Sequence, residues 1–514
     1  MENKGKDKDR NYVLLYVNGD RKVVSGENIF LPLSDYLRNI LHLTGTKVVC
    51  AEGDCGACTV LRAEVIAATN GAGKNFHFEA VNSCIASVHL FDCSQIITVE
   101  GLKEQNGELN PVQQALVTEH GSQCGFCTPG FALTLTAMYV SANSIRSITE
   151  KEIKDSLTGN LCRCTGYKGI IDAGLHVAND EKLFSKARAS LDVYQREDIY
   201  SDLTKHKSVP IAIETQNRKF YAPISIDSAI EFKKNSGNQK TYVFASATDL
   251  GVQINKEFID PQRILSLNAI PELYEIKSES GGIEVGAKVS LTTLQNFVKD
   301  GTSSIPELYN LLNIFASPQI KNMGTLVGNV ANGSPIGDTL PFLFVMEAIL
   351  IIKGPANKTR RVGICDFFKG YKKFDLNDDE LITNIFIPTS DSTCLKLYKV
   401  SKRKDLDIST INAAFLAKIT KSADDKQHKQ HKQYQQIEKI NICYGGVAAT
   451  PLRLKNTEKL LQGKLLDQAN IDATVDEAVK SIVAEISPIA DVRGSVSYRN
   501  QLAGNLFKKF IEEI

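Results

Sequence analysis

Cysteine spacing constrains this chain more than any other feature. Eight of the twelve cysteines form two sets, and both sets lie in the first third of the 514-residue sequence. The first set comprises Cys50, Cys55, Cys58 and a more distant fourth cysteine, and the second set comprises Cys124, Cys127, Cys162 and Cys164. Four thiolates at such spacing can hold a redox cluster. Two such sets predict an electron carrier.

The first set has the spacing C-x4-C-x2-C, which is typical of plant-type ferredoxins that hold a [2Fe–2S] cluster. Gly53 and Gly56 let the backbone fold tightly around a cluster and direct N–H groups at its sulfurs. Cys84 and Cys93 compete for the fourth position. We favour Cys84, because the apolar run after it can turn back to the core, whereas Cys93 lies in a polar turn.

The second set pairs C-x2-C with C-x-C. Thr128 and Pro129 follow Cys127 directly and predict a helix start, where the helix dipole favours an anionic cluster. A structural zinc ion or a redox disulfide are the alternatives. Zinc sites usually combine two C-x2-C pairs. The C-x-C pair in this set therefore favours an iron–sulfur cluster over zinc. A buried or inert thiol is predicted for each cysteine outside both sets, namely Cys93, Cys365, Cys394 and Cys443.

The composition excludes several classes of protein. A net charge of +1 gives no electrostatic reason to bind nucleic acid or an anionic membrane. The polar start of the sequence predicts no signal peptide. The most apolar stretch, 341–352, contains Glu347 and is shorter than the roughly 20 residues of a membrane span. Together with cysteines at metal-ligand spacing, these features predict a cytoplasmic protein without a membrane span.

The pattern along the chain is multidomain α+β. Apolar alternation predicts strands at 12–18, 21–24, 59–66, 76–80 and 96–100, with Asn18-Gly19 as a hairpin turn. Helix starts at Pro111, Thr128, Thr149 and Gly166 predict a helical unit. The predicted divisions are 10–103 and 104–182 for the two iron–sulfur domains, 183–210 for a polar linker, 211–390 for a nucleotide domain and 391–514 for a C-terminal domain.

Within the last division, the polar insertion 421–439 contains His428 and His431. We predict a solvated hairpin there rather than a metal site, because no third ligand is near in sequence.

The region 211–390 has no G-x-G-x-x-G helix start and no P-loop, so a Rossmann or kinase-like fold is not supported. Two other stretches stand out, 242–251 and 316–338. Small residues in both allow a ligand to approach the backbone closely, and Asn332 and Asp338 are among the polar groups that could bind phosphate or ribose. An equally good explanation is that these small and polar residues only form turns and bind no ligand. Beside two redox clusters, the natural ligand is a flavin, which links one-electron transfer to hydride transfer.

The motifs together resemble a known family. They are C-A-E-G-D-C-G-A-C-T-V with N-S-C, then Q-C-G-F-C-T-P-G with G-N-L-C-R-C-T-G-Y, then A-T-D-L-G, G-N-V-A-N-G-S-P-I-G-D, Y-K-V-S-K-R and D-V-R-G-S-V-S-Y-R-N-Q-L. In this order they are similar to small subunits of the xanthine dehydrogenase type within the molybdenum hydroxylase family. The resemblance implies a β-grasp ferredoxin-like domain, a four-helix [2Fe–2S] bundle, a vanillyl-alcohol-oxidase-type FAD domain and an α+β C-terminal domain. It also supports Cys84 as the fourth ligand.

The resemblance also implies the flavin site. The residues that would wrap the FAD pyrophosphate are Val243, Phe244, Ala245, Ser246, Ala247, Thr248, Asp249 and Leu250. Those that would bind the rest of the dinucleotide are Thr325, Leu326, Val327, Gly328, Asn329 and Asp338. Phe315 matches an aromatic residue that stacks on the isoalloxazine, and Ile382 and Lys399 match further flavin-site positions. Gln123 matches a glutamine that reaches towards the molybdopterin of a partner.

This sequence departs from the family pattern at three places. Ser246 and Val327 stand where glycine is usual, so the phosphate turns are expected to be slightly altered. The insertion 421–439 is foreign to the pattern.

The resemblance further implies a separate molybdopterin-binding large subunit and a dimer of heterodimers, because the chain stops where the family's molybdenum-binding part would begin. This chain is therefore expected to carry no residue that hydroxylates a substrate. Electrons would pass from the partner through two [2Fe–2S] clusters to FAD and then to NAD+. The alternatives are an aldehyde, carbon monoxide or N-heterocycle dehydrogenase with another acceptor, a zinc-stabilised assembly module, and a free-standing flavin reductase.

Overall fold

A computed structural model describes residues 9–65, 76–142, 148–389, 393–422, 434–466 and 470–514. Two compact units make up the chain: residues up to Glu272 together with Ser317–Gly324, and Leu273–Ala316 together with Thr325–Ile514. Each unit combines helices and sheets, so the α+β prediction is confirmed. In the described residues, no helix has the length and apolar character needed to cross a membrane.

The first unit begins with a five-stranded sheet. Its strands are β1 (Val13–Val17), β2 (Asp20–Val24), β3 (Thr59–Val65), β4 (Phe76–Asn82) and β5 (Ser94–Ile97). Helical turns between them are Gly26–Phe30, α1 (Leu33–Asp35), Tyr36–Ile40, Val88–Phe91 and Val99–Leu102. The strand order is β2-β1-β5-β3-β4. Asn18 and Gly19 form the predicted hairpin turn, both with positive φ (50° and 84°), as a two-residue turn requires.

Strand β1 shows why this sheet lies at the centre of the first unit. All five of its residues are buried. Leu14 and Tyr16 face a core shared with the helices that follow, whereas Val13, Leu15 and Val17 face a core shared with the sheet of residues 211–266. Successive side chains of a strand point to opposite faces. Both faces of the sheet are therefore covered.

Six helices follow the sheet. They are α2 (Pro111–Thr118), α3 (Thr128–Val140), α4 (Glu150–Ser156), α5 (Lys168–Asn179), α6 (Glu181–Arg188) and α7 (Glu197–Lys207). The four predicted helix starts are confirmed to within two residues. Thr149 and Glu152 form the predicted capping box at the start of α4, with the Thr149 hydroxyl accepting from the Glu152 N–H.

The segment 183–210, expected to be a weakly periodic linker, is instead mostly helical. Helices α6 and α7 bury Phe184, Ile199 and Leu203 completely. Each of these short helices has only two buried positions among many charged residues. The polar composition of this segment therefore gave little sign of the few apolar residues that each helix buries. The prediction of a weakly periodic linker was wrong.

A second, four-stranded sheet completes the first unit. Its elements are β6 (Ile211–Glu214), β7 (Lys219–Ala222), α8 (Ile226–Lys234), β8 (Tyr242–Phe244), α9 (Leu250–Val252), a turn at Gln253–Glu257, and β9 (Arg263–Ser266). The order is β6-β7-β9-β8, with β9 parallel to both of its neighbours. The carboxyl end of β8 leads directly into the predicted pyrophosphate turn.

Residues 271–389 continue with short helices and a sheet. The elements are a turn at Pro271–Tyr274, β10 (Ile276–Glu279), β11 (Gly282–Gly286), α10 (Leu291–Phe297), a turn at Gly301–Ser303, α11 (Pro306–Ile314), α12 (Pro318–Lys321), α13 (Leu326–Asn332), α14 (Leu340–Val345), β12 (Ile349–Lys353), β13 (Thr359–Gly363), α15 (Ile364–Phe367), β14 (Phe368–Gly370), β15 (Lys373–Phe374) and β16 (Leu381–Pro388). Five strands form a sheet in the order β10-β11-β16-β12-β13. Helix α12 belongs to the first unit.

The C-terminal part of the second unit is a sheet covered by two long helices. Its elements are β17 (Thr393–Val400), β18 (Ile411–Ser422), β19 (Tyr434–Gly445), β20 (Leu452–Arg453), α16 (Lys455–Leu461), β21 (Leu465–Leu466), α17 (Ile471–Glu485) and α18 (Val496–Glu512). The described flanks of the insertion 421–439 pair antiparallel in β18 and β19, as a hairpin requires. His428 and His431 lie outside the described residues.

Candidate functional site: two cysteine sets and a flavin region

The first cysteine set lies at one end of the β3–β4 pair. Thr59 pairs with Asn82, so Cys58 just before β3 and Cys84 just after β4 come together. Their sulfurs are 3.2 Å apart. The backbone N–H of Cys55 donates to the sulfur of Cys50 at 3.4 Å. One loop and one strand pair thus bring together four cysteines that are up to 34 positions apart in the sequence.

Cys93 lies elsewhere. It has a left-handed backbone (φ 55°), and its sulfur contacts Arg10 and Asp92. Burial raises its pKa, and the neighbouring Asp92 carboxylate adds to the rise. The structure therefore brings Cys84, and not Cys93, to the other three cysteines.

The loop of the first set is tight where the sequence has glycine. Gly53 has φ of 79°, and a Cβ there would lie 2.7 Å from the side chain of Ile85. Gly56 has φ of 65°, and a Cβ there would lie 2.2 Å from the carbonyl oxygen of Gly159. Both positions combine a positive φ with a close approach, which only glycine tolerates.

The protonation of the first set is strongly interdependent. Hydrogen bonds from Cys55 and Cys84 lower the pKa of Cys50, and donation to Cys50 is the largest cause of the raised pKa of each donor. A hydrogen bond from Cys84 likewise lowers the pKa of Cys58. Two thiols of the set thus have a lowered pKa, Cys50 and Cys58, because the other two donate hydrogen bonds to them. A cation that replaced those protons would relieve the competition.

The second cysteine set lies at the loop ends of the helical region. Cys127 caps the start of α3, whereas Cys162 and Cys164 lie between α4 and α5. The sulfurs of Cys124 and Cys164 are 3.6 Å apart, and those of Cys162 and Cys164 are 3.8 Å apart. The structure thus brings the two loops together.

Two thiols of the second set have opposite shifts. Burial and donation to Cys162 raise the pKa of Cys127 to about 12. Burial works to raise the pKa of Cys162 as well, but hydrogen bonds from the hydroxyl and N–H of Thr165 outweigh it and lower the pKa to about 7. The Cys162 thiol is therefore partly ionised near neutral pH.

The sulfur distances allow a test of which metal group fits. On one tetrahedral metal with bonds of about 2.3 Å, two sulfurs lie about 3.8 Å apart. The distances of 3.6 and 3.8 Å match this separation, and 3.2 Å is far longer than the roughly 2.05 Å of a disulfide. All twelve cysteines are free thiols.

Hydrogen bonds connect the four sulfurs within each set. Throughout the described ranges, no three cysteine, histidine or acidic side chains surround one point as the ligands of a single ion would. A zinc ion needs four ligands around one point. The four thiolates of a [2Fe–2S] cluster are shared between two irons, so they need not surround one point. Each set therefore fits a two-iron cluster.

The two sets differ in their exposure to solvent. Cys58 and Cys84 are buried, at 1% and 3% exposure. Cys124 and Cys164 are exposed. Gln123, beside Cys124, is also exposed, and Phe126 is 50% exposed. Cys50, Cys55 and Cys127 are half-buried, and Cys162 is buried. The second set thus reaches the surface at Cys124 and Cys164, whereas no cysteine of the first set is fully exposed.

A polar junction joins the two sets directly. The N–H of Leu161, next to Cys162, donates to the carbonyl oxygen of Cys55 at 2.9 Å. The side-chain amide of Asn160 donates to the carbonyl oxygen of Gly56 at 3.1 Å. Gln319 of α12, fully buried, donates to Asn160 at 2.9 Å. Sequence analysis missed all three residues, because their role depends on contacts across more than 100 positions.

The predicted pyrophosphate segment, 243–250, follows β8 as a tight turn. Ala247 has φ of 59°, and its carbonyl oxygen accepts the N–H of Gly251. Ser246, which replaces a usual glycine, does not have positive φ. The substitution therefore needs no strained backbone at that position.

The residues that follow this segment contact the first cysteine set within the first unit. A Cβ on Gly251 would lie 1.8 Å from the carbonyl oxygen of Ile85, the residue after Cys84. The side-chain amide of Asn255 donates to the carbonyl oxygens of Cys84 at 2.8 Å and Ala51 at 2.9 Å. Asn255 was also missed by sequence analysis, since nothing in its local sequence marks it.

The other predicted flavin residues lie in the second unit. Thr325 caps α13, with its hydroxyl accepting the N–H of Gly328 at 2.9 Å. Asn329 accepts a hydrogen bond from Thr339. Val327 lies in α13 at 5% exposure without positive φ, so glycine is not required there. Helix α13 packs against β16, the strand that carries Ile382.

Asp338 and Lys399 form a buried ion pair. Their side chains are 7% and 2% exposed, and the Lys399 amine donates to Asp338 at 2.6 Å. Ser409 and Asn412 donate to the other carboxylate oxygen. The pair is thus fully engaged in binding β17 and β18 to the turn before α14. Phe315, half-buried, ends α11.

Comparison with known proteins identifies the family. Three domain families match: a [2Fe–2S] binding domain at residues 98–175, the FAD binding domain in molybdopterin dehydrogenase at 214–390, and the CO dehydrogenase flavoprotein C-terminal domain at 396–514. Xanthine dehydrogenase of Oryza sativa subsp. japonica is 32% identical over 97% of this chain and 39% of its own length. The chain belongs to the molybdenum hydroxylase family.

Other members of the molybdenum hydroxylase family give the same result. Xanthine dehydrogenase 1 of Arabidopsis thaliana is 31% identical over 97% of this chain and 39% of its own length. The structure of a carbon monoxide dehydrogenase from Hydrogenophaga pseudoflava is 25% identical, with a TM-score of 0.50 over 57% of this chain and 95% of that chain. This chain spans about two fifths of the curated relatives it matches, and corresponds to their iron–sulfur and FAD electron-transfer portion.

Proposed function

We propose that this chain passes electrons from a molybdenum centre on a partner subunit through two [2Fe–2S] clusters to FAD and then to NAD+, as part of a xanthine dehydrogenase. The similarity to curated xanthine dehydrogenases over 97% of the chain supports the substrate class. The observation that carries the proposal is the junction at Leu161 and Cys55, which connects the two cysteine sets through one hydrogen bond.

The eight cysteines divide into two ligand sets. Cys50, Cys55, Cys58 and Cys84 would hold one cluster, and Cys124, Cys127, Cys162 and Cys164 the other. The sulfur–sulfur distances of 3.2, 3.6 and 3.8 Å support this division into two sets. When bound, the clusters supply one-electron transfer and the flavin supplies hydride exchange.

The residues of this chain provide an ordered route. The exposed second set, with Cys124 and Cys164 at the surface, suits the entry of electrons from a partner. Leu161 and Asn160 join this set to the less exposed first set. Asn255 joins the first set to the segment that follows the pyrophosphate turn. Each of these hydrogen bonds gives electrons a bonded path between groups that would otherwise be separated by a gap through space.

The flavin residues and domain types follow the family pattern. We assign FAD binding to 243–250, 325–329, Phe315 and Asp338, with Ile382 and Lys399 as further contacts. The family match at residues 214–390 supports the ligand. The domains of the proposal are a β-grasp ferredoxin-like domain, a four-helix [2Fe–2S] bundle, a vanillyl-alcohol-oxidase-type FAD domain and an α+β C-terminal domain, with the boundaries predicted from the sequence.

The partner would be a molybdopterin-binding large subunit, in a cytoplasmic dimer of heterodimers. Gln123 and Phe126 are exposed beside Cys124, and so provide a polar and an apolar contact at the entry point. No residue of this chain is proposed to hydroxylate the substrate.

The test uses the full chain loaded with iron, sulfide and FAD, assayed without oxygen. NADH should bleach the flavin absorbance and support reduction of an artificial acceptor, and xanthine should give no turnover until a molybdopterin-containing large subunit is added. Xanthine turnover by the chain alone would refute the proposal that hydroxylation requires a separate large subunit. Failure of the complex to oxidise xanthine would refute the substrate.

A second candidate is the same electron-transfer role in a carbon monoxide dehydrogenase with another acceptor. The match to 95% of a carbon monoxide dehydrogenase chain favours it. A flavin that NADH does not reduce, but that accepts electrons from dithionite through the clusters, would select this candidate over the first.

A further inference from the structure

One buried arginine lacks the counter-charge that the other buried arginines have. Four arginines are buried among the described residues. Three of them donate to carboxylates, in the pairs Arg10 with Asp92, Arg453 with Glu458 and Arg499 with Asp491. The fourth, Arg263, is 5% exposed and forms no ion pair within the part of the chain that the structure describes. Buried charges are nearly always paired, because an isolated one retains a large cost of desolvation. Arg263 therefore has the chemistry of an anion-binding group.

Two of the three guanidinium nitrogens of Arg263 are engaged. The Nε donates to the hydroxyl of Thr241 at 3.0 Å, and Nη2 donates to the carbonyl oxygen of Phe232 at 2.5 Å. The guanidinium also lies on the ring of Phe232, 3.8 Å from its centroid. The remaining nitrogen, Nη1, has no partner among the described residues, and unlike the unpaired Nε of Arg10 it is not sealed from solvent. These contacts hold the guanidinium in place and leave one accessible nitrogen to bind a ligand.

Arg263 lines a cavity of about 490 Å³ within the first unit. The cavity lies between helix α8 and the sheet of β6, β7, β9 and β8, since both contribute lining residues. The lining residues that matter for its chemistry are Glu214, Lys219, Tyr221, Glu231, Phe232 and Arg263. We refer to it as the Arg263 cavity.

The Arg263 cavity lies at the opposite end of this sheet from the proposed flavin residues. Strands β7 and β8 are both parallel to β9. Lys219 and Arg263 are the first residues of β7 and β9, whereas the predicted pyrophosphate turn lies at the carboxyl end of β8. No residue assigned to FAD binding is among the described residues that line the cavity. The cavity is therefore separate from the proposed electron route.

The charges around the cavity define the charge of the ligand. Lys219 is the direct cross-strand neighbour of Arg263, and its amine is 4.0 Å from the carboxylate of Glu214. Burial lowers the pKa of Arg263, and no carboxylate of the described residues raises it again. The side chains of Glu214 and Glu231 are 75% and 61% exposed, so they stand at the rim, where they would repel a second negative charge. The cavity thus favours an anion with a single charge.

The walls of the cavity define the shape of the ligand. The rings of Tyr221 and Phe232 lie 5.2 Å apart, with 31° between their planes, and provide an aromatic wall. Such a wall favours stacked or edge-on contacts with another ring. A cavity of about 150 Å³ accommodates benzene, so the larger Arg263 cavity has room for a substituted ring.

We propose that the Arg263 cavity binds a small aromatic monocarboxylate, with the carboxylate on Nη1 of Arg263 and the ring against Tyr221 and Phe232. The hydrogen bond between the guanidinium and the carboxylate is charge-assisted, so it is the strongest contact of the complex. Binding at this site is reversible and changes no covalent bond. The proposal does not depend on the proposed electron route.

The test measures binding to the full chain loaded with clusters and FAD, by isothermal titration at neutral pH. Benzoate is the ligand, benzamide is its uncharged analogue, and acetate is a carboxylate without a ring. We expect benzoate to bind about ten-fold or more tightly than either, because each analogue lacks one of the two contacts. Terephthalate, which carries a second carboxylate, should bind more weakly than benzoate. Equal binding of benzamide or acetate, or tighter binding of terephthalate, would overturn the proposal.

A pair of variants places the site. Arg263→Met keeps an apolar stem and removes the charge, so it should weaken benzoate binding about ten-fold or more and leave benzamide binding unchanged. The matched control is Arg361→Met, because Arg361 also lies over an aromatic ring, 5.7 Å from the centroid of Phe386, and is outside the cavity. Benzoate should not alter the flavin absorbance. An equal loss of binding in Arg361→Met, or a change of flavin absorbance on adding benzoate, would overturn the proposal.

If Arg263→Met does not fold, the unsubstituted chain still decides the question. A crystal of the full chain soaked in 4-bromobenzoate should show the anomalous signal of bromine within the Arg263 cavity, with the carboxylate at hydrogen-bond distance from Nη1. A bromine signal only at other positions, or none, would overturn the proposal.

Discussion

At the scale of single residues, Asn255 connects the first cysteine set with the segment after β8. Its amide donates to the carbonyl oxygens of Cys84 and Ala51. Asn255→Leu keeps the volume and removes both hydrogen bonds, so it should lower the free energy of unfolding by about 2 kcal/mol, at about 1 kcal/mol for each bond. Denaturant titration, followed by loss of the visible cluster absorbance, measures this change.

The matched control for Asn255 is Asn235, whose amide makes one exposed hydrogen bond to Glu231. Asn235→Leu should change stability by less than about 0.5 kcal/mol. Equal effects of the two substitutions would show that Asn255 has no special role.

His89 gives a prediction about pH. Its pKa is about 3 in the folded chain and about 6.5 when unfolded, so the unfolded state binds more protons between these values. Stability contributed by the neutral ring is complete above pH 6.5 and decreases as the pH falls towards 3. Arg218 and Asp260 are the charged groups that line a cavity of about 290 Å³ beside His89. Between pH 7 and pH 5 the unsubstituted chain should lose about 2 kcal/mol more than His89→Phe does.

Urea titrations of both proteins at pH 7 and pH 5 provide the comparison. The same loss in the two proteins would mean that His89 is charged or solvated in the folded state.

The ion pair of Asp338 and Lys399 should be essential to the second unit. Asp338→Asn leaves a lysine with 2% side-chain exposure without its counter-charge, which should cost about 3–5 kcal/mol and reduce FAD content. The control is Glu438→Gln, which breaks the exposed pair with Lys418 and should cost less than about 1 kcal/mol. A stable Asp338→Asn protein with full FAD content would contradict this account.

At the scale of elements, the sequence correctly predicted those turns and helix starts that short sequence motifs specify. The Asn18-Gly19 hairpin, the Thr149 capping box and the proline-marked helix starts follow from short-range chemistry, and the structure has them. The helices in 183–210 were missed because so few of their positions are buried. Contacts such as that between Leu161 and Cys55 join parts of the chain that are distant in sequence, so no local sequence pattern predicts them.

The close approach at Gly56 should control how the two cysteine sets meet. Gly56→Ala would place a Cβ 2.2 Å from the carbonyl oxygen of Gly159, so the loops must separate. We expect slower electron transfer between the clusters and a lower iron content. Gly237→Ala is the control, since Gly237 has a similar φ of 59° and nothing within 4 Å of a Cβ.

Rapid-reaction spectroscopy of the reduced chain and iron analysis of both variants give the measurement. If Gly237→Ala impairs iron content as much as Gly56→Ala, backbone strain alone explains the effect.

At the scale of the whole molecule, the central claim is that eight thiolates hold two distinct [2Fe–2S] clusters. Two cysteines of the second set are exposed, whereas those of the first set are buried or half-buried, so the two clusters should have different environments. Hydrogen bonding and solvent exposure set the properties of such clusters. Two separable paramagnetic signals are therefore expected from the reduced chain.

The most direct test is electron paramagnetic resonance of the full chain, isolated without oxygen and reduced with dithionite, together with Cys84→Ser and Cys93→Ser. We predict two [2Fe–2S] signals in the unsubstituted chain, loss or alteration of one in Cys84→Ser, and both signals intact in Cys93→Ser. A single signal, a colourless zinc protein, or a signal lost in Cys93→Ser but not in Cys84→Ser would contradict the account.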